Sequence, residues 1–164
     1  MFRLKIFIFF IFLVFFSSCS KEEFKKSTIK EKSLDLQVIE AYQSGLEALE
    51  AGDVLYAAKK FNEAEILFPQ GEWAPKSALM AAYSYYTQDY YGDAIAELLR
   101  FKKIYKNYKN LDYVNYLLAI CYYEQIVDEK KDLDSIIKAK ESFNFVIKNY
   151  PNTEYALDSE FKLD

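Results

Sequence analysis

Fifteen tyrosines and no histidine set the chemistry open to this chain. Without histidine there is no Ser-His-Asp or Cys-His arrangement, and the commonest zinc ligand is missing. Cys121 stands between Ile120 and Tyr122 in an apolar stretch, the setting of a buried structural thiol rather than a nucleophile. Four glycines form no phosphate-cradling loop. Acidic pairs such as Glu63 with Glu65, and Asp128 with Glu129, read as solvated faces. No catalytic set, metal site or cofactor is expected. What remains is recognition: Tyr42, Leu46 and Leu49; Leu79, Tyr83 and Tyr86; Tyr113, Tyr116, Ile120 and Tyr123 recur three and four residues apart. Tyrosine offers large contact area and a hydrogen-bonding tip at small rotamer cost, so ten such positions on one face would make a peptide-binding groove. The alternative is that tyrosine is simply common here and that some of these rings pack between helices.

For those residues to share a face, the helices carrying them must be stacked in register. The stretch Ala41 to Pro69 reads as two amphipathic helices joined at Gly52-Asp53. Gly45, Ala57 and Ala64 are small where helices must touch, Phe61 fills the gap, and Pro69 closes the unit. This pattern resembles the tetratricopeptide repeat, a helix-turn-helix unit that buries its apolar face only by stacking. The small residue of the first helix recurs as Gly45, Ala82 and Ala119, 37 residues apart each time. On the second helix the equivalents are Ala57, Ala94 and Ala139, with bulky partners Phe61, Leu98 and Phe143. The closing position is Pro69, Lys106 and Pro151, so the middle unit departs from the pattern. The second-helix alanines are 37 and then 45 apart, which puts an eight-residue charged insertion, VDEKKDLD, between the helices of the third unit. The expected fold is therefore all-α: a tetratricopeptide-like solenoid over 34–164, with units at 34–69, 72–106 and 110–151. The first helix of a fourth unit starts at 153. Tyr155, Ala156 and Phe161 would then have nothing beyond them to pack on, as in a fragment of a longer protein. In such a stack the first helices line the concave face, where the ten-residue stripe falls.

The start of the chain reads differently. Arg3 and Lys5 precede an unbroken apolar run of 11 residues from Ile6 to Phe16, then Ser17 and Ser18. That order is a secretory signal peptide over residues 1–18, with a run too short to span a bilayer. Phe16-Ser17-Ser18-Cys19 resembles a bacterial lipobox, with Phe16 where leucine is usual. In that class Cys19 is acylated and becomes the mature N-terminus. Ordinary cleavage near the two serines, leaving Cys19 free, is the alternative. Several acyl chains, at ~0.8 kcal/mol per buried methylene, would anchor the protein permanently. Ser20, rather than aspartate, follows the cysteine, which in this class implies the periplasmic face of the outer membrane. Removing residues 1–18 leaves 19 basic against 25 acidic residues, a net of −6 that does not suit nucleic acid. Residues 19–33 are a lysine-rich polar tether that reaches at most ~50 Å.

A lipobox, a short tether and degenerate repeats together resemble the BamD (ComL/YfiO) family of outer membrane assembly lipoproteins. FPQGEWAPKSALMAAYSYY from Phe68 to Tyr86 is similar to the family's second-repeat opening. LDYVNYLLAICYY from Leu111 to Tyr123 is similar to its third, and YPNTEYA from Tyr150 to Ala156 to its linker. The resemblance implies a non-enzymatic role in folding and inserting outer-membrane β-barrel proteins. The implied partners are BamA, other lipoproteins of the machinery and unfolded barrel clients, whose aromatic-ended segments the N-terminal repeats would receive. It also implies further repeats that contact BamA, which this chain does not carry. A lipoprotein scaffold positioning peptidoglycan enzymes would need the same anchor and repeats, and stays open beside it.

Overall fold

The computed structural model describes residues 33–127 and 133–164. The expected signal peptide, Cys19 and the expected tether up to residue 32 lie outside the described residues, as do residues 128–132 of the insertion. The described residues hold seven helices and no strand: α1 (Leu34–Glu50), α2 (Val54–Leu67), α3 (Trp73–Tyr86), α4 (Tyr91–Ile104), α5 (Leu111–Glu124), α6 (Leu133–Asn149) and α7 (Glu154–Leu163). Each helix packs on the one before and the one after it, and the first helices also touch, α1 on α3 and α5 on α7. That is the solenoid expected of the repeats.

Local chemistry sets the helix ends. The Ser33 hydroxyl accepts from the Leu36 N–H at 3.3 Å, and the Asp53 carboxylate from the Tyr56 N–H at 3.1 Å. The Thr153 hydroxyl accepts from the Ala156 N–H at 3.2 Å. Each satisfies a donor left orphaned at a helix start. Between α1 and α2, Gly52 takes φ +81°, a left-handed turn that glycine enters without strain. The equivalent turn between α3 and α4 places Asp89 at φ 63°, one of the few side chains that tolerate that region. Gln88 Nε2 donates to the Gly52 carbonyl at 2.9 Å and so ties the two turns together.

All ten repeat-packing positions, Gly45, Ala57, Phe61, Ala64, Ala82, Ala94, Leu98, Ala119, Ala139 and Phe143, are buried. The reason is steric. A Cβ built on Gly45 would lie 2.7 Å from Phe61 Cε1, so the ring occupies the space a side chain would need. Leu98 packs with Ala82 and Ala94 in the next unit, and Phe143 with Ala119 and Ala139 in the third. Burying each bulky partner contributes roughly 1.5–3 kcal/mol.

One expectation changes. Glu63 is solvated and pairs with Lys60 at 2.7 Å, but Glu65 is buried. Its carboxylate accepts from Arg100 Nη1 at 2.9 Å and Nη2 at 2.6 Å, and from the Tyr105 hydroxyl at 2.6 Å. A charge can be buried there because donors from α4 and the residue just past its end replace water. At the other end of the stack, α7 packs back on the helices before it. Ala156 is buried and Tyr155 rests on α5 rings, while Phe161 stays 76% exposed.

Candidate functional site

The first helices α3, α5 and α7 bring five tyrosines together. Tyr83 and Tyr86 lie one turn apart on α3, their ring centroids 6.1 Å apart. Tyr113 and Tyr116 lie one turn apart on α5, and both pack on Tyr155 of α7, at 5.5 and 5.1 Å. Tyr86 also meets Tyr91, at the start of α4, at 6.2 Å. Half-buried rings of this kind show one apolar face outward and keep the other against the core.

Burial, first of all, holds the Tyr113 phenol well above its ordinary range, and the neighbouring Tyr83, Tyr155 and Tyr86 add to it. Burial likewise raises Tyr116, whose hydroxyl donates to Asp158 Oδ2 at 2.6 Å. The Tyr91 hydroxyl donates to Asp89 Oδ1 at 2.6 Å, the chief reason its phenol is also raised. These phenols stay neutral across the physiological range. The surface they form offers ring faces and neutral hydroxyls.

The other stripe positions go elsewhere. Tyr42 turns its ring against Phe61 at 5.2 Å and Trp73 at 5.0 Å. Leu49 packs beside Ala57 and Phe61, and Leu79 beside Ala82 and Leu98. Ile120 is 5% exposed, inside the core with Ala119 and Phe143, and presents no surface. Leu46 and Tyr123 are exposed, Tyr123 with its edge on Phe143 and Lys162 Nζ 5.2 Å from its ring centroid.

Tyr155 and Asp158 fall outside the stripe read from the sequence. A signal for them exists, since the 37-residue period from Ala82 to Ala119 continues to Ala156. Charge lies beside this face. A cleft of about 370 Å³ beside Tyr113 and Tyr155 is flanked by Asp112 and Glu154.

Cys121 is buried, and burial pushes its thiol up to about 12, out of reach of thiolate chemistry at neutral pH. Among the described residues, no group of His, Cys, Asp or Glu side chains is placed to hold a metal ion. No helix among them is long and apolar enough to cross a membrane.

A stack of helix pairs with an aromatic face across its first helices defines a helical-repeat protein of the solenoid class. Residues 34–164 match the model of the YfiO family, described as outer membrane lipoprotein, and the chain belongs to that family. It is 36% identical over 140 residues to the outer membrane protein assembly factor BamD of Caulobacter vibrioides, covering 85% of this chain and 45% of that protein. The BamD of Rickettsia prowazekii is 33% identical over 123 residues, 75% of this chain and 49% of the relative. The BamD of Neisseria gonorrhoeae is 24% identical over 139 residues, 79% of this chain and 52% of the relative. The chain thus spans about half the length of the curated relatives it matches.

Proposed function

We propose that this protein is a non-enzymatic component of the machinery that assembles β-barrel proteins in the outer membrane. Acylated Cys19 holds it at the periplasmic face, and its first-helix tyrosines take up extended client or partner segments. Family membership and the relatives' names support the assembly role. The observation that carries the binding role is the row of ring contacts on the first helices, Tyr83 with Tyr86 on α3, and Tyr113 and Tyr116 of α5 with Tyr155 of α7. The partners in this reading are unfolded barrel clients and other components of the machinery, BamA among them.

The physical logic is that an unfolded barrel strand alternates apolar and polar residues. Half-exposed rings pack its aromatic side chains, while phenol hydroxyls and the flanking Asp112 and Glu154 satisfy backbone and polar groups. Truncating a ring that anchors a peptide costs on the order of 1–2 kcal/mol or more, so affinity for a peptide ending in an aromatic residue should fall about tenfold in Tyr83→Ala/Tyr86→Ala. Fluorescence anisotropy of such a labelled peptide reads this directly. Unchanged affinity would remove the tyrosine face as the binding surface.

A further inference from the structure

The stack has two unlike edges. At one, each first helix begins and each second helix ends: Val38 and Ala41 of α1 cluster there with Leu67 at the end of α2 and Trp73 at the start of α3. Asn115 Nδ2 donates to the Tyr150 hydroxyl at 3.3 Å at the same edge, and Lys102 Nζ lies 5.2 Å from the Phe145 ring centroid, so α4 and α6 end close together. Where the first and third units close on Pro69 and Pro151, the middle unit runs KKIYKNYKN from Lys102 to Asn110, four lysines and no carboxylate. Lys103, Lys106 and Lys109 are exposed, Ile104 among them is 54% exposed, and the last turn of α6 adds exposed Lys148. Among the described residues no carboxylate pairs with any of these four lysines. The acids of this edge, Asp35, Glu72, Asp112 and Glu154, stand at the starts of the first helices, whose positive ends account for them. Negative helix ends account likewise for Lys103 and Lys148, but Lys106 and Lys109 lie beyond the end of α4. The turns of the opposite edge, tied together by Gln88 and Gly52, carry Asp53 and Asp89 and no lysine.

We propose that this basic rim rests on a bilayer surface of anionic lipid, with Lys103, Lys106, Lys109 and Lys148 at the headgroups and Ile104 dipping among them. Three features select that occupant. The lysines stand on a turn and two helix ends, and Arg100 is already held by Glu65 and Glu97, so no guanidinium fork is free to grip a single anion. Separate point charges suit a field of many headgroups instead. An exposed isoleucine among lysines matches the boundary between headgroups and acyl chains. And α1 starts at this edge, at Ser33, after the residues that lead from Cys19. The third feature rests on the lipid anchor of the proposed function; the first two do not.

Co-sedimentation with vesicles of phosphatidylglycerol and phosphatidylcholine tests it, using the chain from residue 19 with Cys19→Ser so that no acyl chain contributes. A lysine near an anionic surface is worth about fivefold in partitioning, so Lys103→Gln/Lys106→Gln should bind roughly 25-fold more weakly. Lys59→Gln/Lys140→Gln removes the same charge from exposed positions elsewhere on the second helices and should bind nearly as the parent does. An environment-sensitive fluorophore on Ile104→Cys should shift to the blue on these vesicles, and one on Leu55→Cys, at the opposite edge, should not. Equal losses in the two double variants would overturn the proposal, as would equal binding to pure phosphatidylcholine. Binding of polyglutamate through Lys103 and Lys106 by a chain that no vesicle retains would overturn it in favour of an acidic protein. With neither acyl chain nor client peptide present, these results stand or fall apart from Cys19 and from the tyrosine face.

Discussion

At the level of single residues, the tightest constraint is Gly45 against Phe61. A methyl group on Gly45 would sit 2.7 to 3.0 Å from three atoms of a fully buried ring. In an open helix, glycine to alanine stabilises by roughly 0.5–1 kcal/mol, because glycine loses more backbone freedom on folding. Overpacking works the other way and costs roughly 1–3 kcal/mol. The ring has no room to retreat, so Gly45→Ala should lower stability and the melting temperature. A calorimetric scan showing a rise would mean that Phe61 does not fill the glycine notch. The same steric rule is legible in the amino-acid order, because a small residue opposite a bulky one repeats at 37-residue intervals. The fate of Glu65 is not. It looks like its neighbour Glu63 in sequence, and only the arrival of Arg100 and Tyr105, 35 and 40 residues later, makes its burial possible.

Between elements, that carboxylate joins α2 to α4, the second helices of successive units. Arg100 is held by Glu65 and also by Glu97 at 2.8 Å on its own helix, which orients the guanidinium before it crosses to α2. The Arg100 side chain is 36% exposed, so solvent screens part of the pair and the discounted cost of losing it is about 1–3 kcal/mol. Most of that cost is the stranded Glu65 carboxylate. Arg100→Met alone should therefore destabilise more than Glu65→Met/Arg100→Met, in which no charge is left buried. Urea midpoints of the two variants check the order; equal midpoints would mean that water reaches Glu65 once the arginine is gone. α7 plays a parallel part at the other end of the stack. It covers α5, supplies Tyr155 and Asp158 to the tyrosine face, and sets Lys162 over Tyr123.

For the whole molecule, the proposed function assigns recognition and attachment to different stretches of chain. The helical stack presents the tyrosine face, and in the proposed function Cys19 carries the lipid that keeps it at the membrane. Cys19→Ser should then move the protein from the membrane fraction to the soluble periplasmic fraction, read by immunoblot of fractionated cells. Continued membrane association would transfer attachment to partner proteins or to the lysines that follow. The sequence by itself determined the all-α class and the repeat period, because both rest on local sterics: apolar residues at helical spacing, and small residues where two helices approach. The tertiary structure alone decided which stripe residues form a surface. Tyr116 and Ile120 are one turn apart and look equivalent along the helix, yet one meets Tyr155 while the other is sealed against Ala119 and Phe143. That outcome depends on how far each helix is rotated against its neighbours. Rotation is set by the sum of contacts across the stack, which no single helix encodes.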